Sequence, residues 1–102
     1  MLHIVVAKHG PENCPASVDA VRDKYMPNFA RIPEVTGKLG IAMQGSWVDM
    51  PGHTAFMVLD APNAHVVNQM MMELHFMDWN TVDVRPVISM DQAAATAQQR
   101  DI

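Results

Sequence analysis

The 102-residue sequence is short of several things, and each shortage excludes a class of protein. It has a single cysteine, Cys14, so an intramolecular disulfide is excluded and a reducing compartment fits. Charge is scarce: 18% of residues are charged, where ~25% is usual. Only seven residues are Lys or Arg, and the formal net charge is −4 with a pI near 5.6. The basic residues are scattered, and the aromatics make no RNA-type signature, so neither nucleic acid nor an anionic membrane is expected as a partner. No apolar run approaches the ~20 residues that cross a bilayer. The chain opens on a strand pattern rather than a charged-then-apolar leader, and a cytoplasmic protein is expected. There is no phosphate-cradling glycine loop, nucleotide fingerprint or Ser-His-Asp order.

Apolar residues are what the chain has in plenty, at 49%. A chain of this size is one domain with room for one core, burying only about 60–65% of its unfolded surface. An apolar surplus on so small a chain predicts that part of it is covered by another subunit.

Residues 38–60 organise the rest. Two runs rich in β-branched and aromatic residues flank Asp49-Met-Pro-Gly52, which predicts a β-hairpin at the centre of a sheet. In its first strand Ile41, Met43, Gly45 and Trp47 are expected on one face, and Ala42, Gln44 and Ser46 on the other. Its second strand runs from His53 to Asp60. Leu2 to His9 reads as strand one, apolar on both faces and therefore an inner strand, stopped by Gly10-Pro11. Ser17 is the expected cap of a helix whose stripe is Val18, Val21, Tyr25, Phe29 and Ile32, kinked at Pro27 and closed by Pro33 and Gly37. Pro62-Asn63 opens a second helix with the stripe Val66, Val67, Met70, Met71, Leu74 and Met77.

Thr81 to Ser89 alternates as a fourth strand, in which Pro86 favours an edge or a bulge. Asp91 is the expected cap of an Ala-rich helix, Gln92 to Arg100, with too few large apolar residues to hold itself in place. The prediction is therefore an α+β, ferredoxin-like βαββαβ domain over residues 1–90 with a helical tail at 91–102. Both helices cover one face of a four-stranded antiparallel sheet. The other face is too apolar for water, which predicts a homodimer or higher homo-oligomer, two sheets packing into a dimeric α/β barrel.

The run His9-Gly-Pro-Glu-Asn-Cys-Pro15, the Gly45-Ser-Trp47 strand and His53 at the head of the next strand resemble a family of small uncharacterised bacterial domains in the dimeric α/β-barrel superfamily. In layout, Gly52-His53 through Asp60-Ala-Pro-Asn63, the following helix and the aspartate-bearing last strand are also similar to muconolactone isomerase. The superfamily includes cofactor-free monooxygenases and polyketide-cyclase-like enzymes. The resemblance thus implies a fold and a cavity without fixing a substrate.

The residues suggest three functions. The first is a binder of a small hydrophobic organic molecule, or a cofactor-free enzyme of isomerase, cyclase or monooxygenase type acting on one. His9 and His53 would be its acid–base pair, since histidine titrates near neutrality. His3, Tyr25, Trp47 and Phe56 would line its cavity. The second is a protein that binds a divalent transition metal such as zinc, nickel or copper through His9, Cys14 and His53, which adjacent strand ends bring together. The third is a structural dimer without chemistry. Cys14 near a helix N-terminus lacks a base fixed beside it by sequence, so it makes a poor nucleophile. The methionines of helix two read as core filler, and His65 and His75 as surface or helix-end residues.

Overall fold

The computed structural model describes residues 1–99. β1 (Leu2–Lys8) carries a strict alternation, with His3, Val5 and Ala7 buried and the residues between them more exposed. β1 pairs antiparallel with β3 (Thr54–Asp60) on one side and with β4 (Thr81–Val87) on the other. β2 (Ala42–Asp49) pairs with β3, giving the order β2-β3-β1-β4. This is the ferredoxin-like four-stranded antiparallel sheet. The 42–60 hairpin is not its centre: β1 and β3 are inner strands and β2 is an edge. β4 is the opposite edge, where Pro86 needs no ladder partner on its outer side.

A bulge between Met43 and Gly45 corrects the expected faces of β2. Because one extra residue shifts the pleat, Met43, Ser46 and Val48 fall opposite Leu59, Met57 and Ala55 on the helix-covered face. Gly45 and Trp47 fall opposite Val58 and Phe56 on the bare one.

The first helical segment is not one kinked helix. α1 (Asp19–Tyr25) passes into a 3-10 stretch, Met26–Arg31, and then into α2 (Ile32–Leu39). Pro27 sits at the start of the 3-10 stretch and Pro33 in the first turn of α2, where the missing N–H costs nothing. Pro33 and Gly37 therefore lie inside a helix that they were expected to close. The stop is Gly40, left-handed at φ 69. The residue before α1 is Val18, extended and with no side-chain cap, so Ser17 does not cap it.

α3 (Ala64–Glu73) is capped as expected by Asn63, whose Oδ1 accepts from the Val66 N–H at 3.0 Å. It ends four residues earlier than the stripe predicts, because His75 turns left-handed at φ 59. Met77 then lies in a short 3-10 turn, Phe76–Asp78, and is 40% exposed. α4 (Met90–Gln99) starts on a reciprocal cap: Ser89 Oγ accepts from the Gln92 N–H, and Gln92 Oε1 accepts from the Ser89 N–H, each at 3.0 Å. Ser89, not Asp91, is its cap. The Arg100 end expected for this helix lies outside the described residues.

The core packs Val5, Met57 and Leu59 of the sheet against Val35 of α2 and Val67, Met70, Met71 and Leu74 of α3. The buried methionines are filler, as their spacing predicts. α4 is exposed along its length, and the described chain extends 58 Å along its long axis. Its radius of gyration, 15.9 Å, exceeds the roughly 13 Å of a compact 100-residue domain. None of the described helices is long and apolar enough to cross a membrane.

Candidate functional site

The site lies where β1 leaves the sheet. Lys8 is the last residue paired to both neighbours, opposite Thr54 and Thr81. One step further, the His9 N–H donates to the His53 carbonyl at 3.1 Å, and the His9 ring reaches Asn80 on the other side. His53 is positioned by the hairpin turn: its N–H donates to Met50 O at 3.2 Å, and the Gly52 N–H donates to Asp49 Oδ1 at 3.0 Å. Its backbone is left-handed at φ 50, a conformation that costs a residue with a Cβ. Cys14 follows the Pro11–Asn13 3-10 turn, and its carbonyl accepts from the Val18 N–H at 2.8 Å. This anchors the loop and buries the free thiol.

These placements bring the His9 and His53 rings to 5.4 Å between centroids, edge to face. His9, Cys14 and His53 each offer one ligating atom within 4.8 Å of the other two. His9 Nε2 and His53 Nδ1 are both buried without a hydrogen-bond partner among the described residues. His9 Nδ1 is 3.0 Å from Asn80 Oδ1, an oxygen that can only accept, so in the neutral ring Nδ1 carries the proton and Nε2 the lone pair. Asn80 is itself oriented, because its Nδ2 donates to Phe76 O at 3.1 Å.

The three residues border a cavity of about 490 Å³ between the sheet and the helical layer. Its sheet side includes Ala7, Ala55 and Met57, and its helical side Met26, Phe29 and Ile32. Trp79 closes the end beside His9, with ring centroids 5.2 Å apart, and its Nε1 is buried with no partner among the described residues. A second, solvent-open cleft of about 550 Å³ shares His9, Trp79 and Asn80 and brings in Lys8, Glu12 and Asp78.

Of the remaining residues picked from sequence, two border the cavity, Trp47 and Phe56, and two do not, His3 and Tyr25. His3 is fully buried at the far end of β1, between Leu59 and Pro86 in the ladders, and both its ring nitrogens lack partners among the described residues. Tyr25 stacks on Trp79 at 6.1 Å, behind the cavity wall. Trp47 and Phe56 border the cavity, yet they are 60% and 38% exposed and pair with each other on the bare face of the sheet. Sequence reading missed Trp79 and Asn80. The signal was there: extending the β1–β4 ladder one pair past Lys8 and Thr81 sets Asn80 opposite His9.

A family model described as Domain of unknown function (DUF3303) matches residues 1–101. No curated protein matches the chain. Among solved structures, SCO4226 from Streptomyces coelicolor A3(2) is similar with a TM-score of 0.51 at 11% identity, over 85% of this chain and 99% of that one. An antibiotic biosynthesis monooxygenase aligns with a TM-score of 0.48 at 15% identity, over 87% of this chain and all of the other, 100%. At such identity the first likeness speaks for the fold alone.

Proposed function

This chain belongs to the DUF3303 family, and from that premise we propose that it binds a small, mostly apolar organic molecule between sheet and helical layer. The observation that carries this reading is an apolar cavity of about 490 Å³ with unpaired imidazole nitrogens of His9 and His53 at one end. Ligand sites of about 300–1,000 Å³ with apolar walls and a few converging polar groups are the common form. The occupant would be an aromatic or alicyclic body carrying one oxygen function, which takes the imidazole end.

The two rings are suited to proton transfer on that molecule. Asn80 keeps the His9 lone pair on Nε2, making it the proton acceptor, and His53 offers a second imidazole nitrogen at the same end of the ligand. Such a pair suits an isomerisation or a cyclisation of the bound molecule. The buried, reduced Cys14 suits a cytoplasmic setting.

The partner supported by the bare sheet face is a second copy. Ile4 pairs with Val58 and Val6 with Phe56, beside Gly45 and Trp47, so an apolar ladder crosses three strands on the face opposite the core residues Val5, Met57 and Leu59. Sedimentation as a single subunit at micromolar concentration would count against this.

The binding reading is tested with 2-naphthol and naphthalene, titrated into metal-free protein and followed by tryptophan fluorescence. Saturable binding of one molecule per chain is expected, tighter for the alcohol. Ala55→Trp, which fills the cavity, should abolish it, and replacing His9 and His53 by Leu should erase the preference for the alcohol. Failure of both compounds to bind, or indifference to Ala55→Trp, removes the reading.

A further inference from the structure

Three groups able to give a lone pair meet at the end of the cavity, and the two imidazole nitrogens among them have no hydrogen-bond partner among the described residues. The Asn80 amide, fixed by its bond to Phe76 O, leaves the His9 lone pair on Nε2, buried and unpartnered. His53 Nδ1 is buried and unpartnered too, and Cys14 is a buried free thiol. Polar atoms left unpaired in apolar surroundings are costly and therefore uncommon in folded proteins. Here two converge beside a thiol, with one ligating atom of each residue within 4.8 Å of the others. His53 also holds a left-handed backbone at φ 50, which aims its ring into this corner.

We infer that His9, His53 and Cys14 form a transition-metal site, held by one nitrogen of each ring and the Cys14 thiolate, with a fourth position open to the cavity. Two imidazoles and a thiolate are a borderline-to-soft donor set. They suit Zn²⁺, Co²⁺ or Cu⁺ and exclude Mg²⁺ and Ca²⁺, which take oxygen ligands. Tetrahedral zinc bond lengths set neighbouring ligand atoms about 3.3–3.6 Å apart. Atoms at the 4.8 Å limit therefore have to draw together by about 1.2–1.5 Å, within the side-chain adjustment open to a strand-end residue, a turn residue and a loop residue.

Asn80 is the positioning residue. Metal-bound imidazoles are usually oriented by an acceptor on their other nitrogen, and the Asn80 Oδ1 contact at 3.0 Å supplies one before any metal arrives. Three protein ligands with one vacancy is the pattern of a site that takes an exogenous group rather than a closed structural site. Only the fourth position rests on the cavity reading above; the ligand set stands without it. With metal bound, both imidazoles are ligands rather than proton carriers, and the oxygen of the organic molecule takes the vacancy.

The test is Co²⁺ titration of untagged, reduced, metal-free protein, read by absorption. A near-ultraviolet thiolate-to-cobalt charge-transfer band and intense visible bands of tetrahedral Co²⁺ are expected at one equivalent. Zn²⁺ should displace the cobalt and Mg²⁺ should not. Cys14→Ser should lose the charge-transfer band, His53→Gly should lose tight binding while keeping a backbone suited to its turn, and Asn80→Ala should bind about 10–100-fold more weakly with the same spectrum. Should a variant fail to fold, the wild-type protein still decides: bound Zn²⁺ must slow alkylation of its one thiol. Adding 2-naphthol should shift the visible cobalt bands, and absence of that shift alone would remove the open position but not the metal. No charge-transfer band in wild type, or one that survives Cys14→Ser, overturns the site.

Discussion

His9 and Asn80, 71 residues apart, are joined by a 3.0 Å hydrogen bond in which the amide oxygen receives the Nδ1 proton of the imidazole. That bond sets which nitrogen of His9 faces the cavity, and the second bond of Asn80 to Phe76 O makes the amide a strut between β1 and the turn before β4. Asn80→Ala should remove both and lower stability by about 1–3 kcal/mol. In the same variant the His9 ring, observed by NMR, should show a mixture of tautomers. A single unchanged tautomer would show that Asn80 does not set it.

His3 fills a core position with a polar ring whose nitrogens have no partners among the described residues. Leu is close in size and carries no polar atoms. His3→Leu should therefore stabilise the domain by about 1–2 kcal/mol, a rise in melting temperature of roughly 4–8 °C per kcal/mol at this chain length. A lowered melting temperature would mean that the imidazole finds a partner in solution.

Gly45 lies beneath the Trp47 indole, and a Cβ placed there would collide with the ring. Since Trp47 is 60% exposed, the indole can swing away, so Gly45→Ala should change monomer stability by less than about 1 kcal/mol. The displaced ring would, however, spoil a flat apolar face. If two copies pack through it, Gly45→Ala should weaken self-association measured by sedimentation far more than it changes thermal stability. Equal association of the two proteins would rule this face out.

Lys38 on α2 pairs with Glu73 at the end of α3 at 2.8 Å, tying the two helices together. The hydrogen bond from Lys38 is the largest cause holding the Glu73 carboxyl below its ordinary 4.5. A carboxyl whose pKa is depressed on folding contributes stability that is fully present above its unfolded value and is lost as pH falls through the folded one. The contribution should therefore be intact at neutral pH and fade below about pH 4.5. Lys38→Met should flatten the acid limb of the stability curve in that window, seen by urea unfolding at stepped pH. An unchanged limb would show that the pair contributes nothing to folding.

The sequence was most legible where the physical signal is local and periodic. Runs of β-formers at residues 2–9 and 53–60 each set a strand, and the Met70-Met71 stripe behind the Asn63 cap set α3 and its buried side, because an amphipathic helix must turn its apolar residues to one face. It was least legible where one residue changes register. The bulge at Met43 and Gly45 moves Trp47 to the other face, and no period-2 reading anticipates an inserted residue. The break of the first helical segment into α1, a 3-10 stretch and α2 was likewise hidden, since the apolar stripe continues through it. Tertiary packing, not helical phase, decides that such a stretch tightens.

By itself, then, the chain determined its layers: four antiparallel strands, a helical cover on one side, and the convergence of His9 on His53 that follows from pairing β1 with β3. What only the tertiary structure decided was the environment of those rings. Burial of Cys14, the Asn80 strut that fixes a proton, the unpaired nitrogens and the cavity beside them all arise from residues far apart in sequence. The reason is physical: a backbone pattern dictates which side chains share a face, but whether a lone pair meets water, a donor or nothing depends on every element that closes around it.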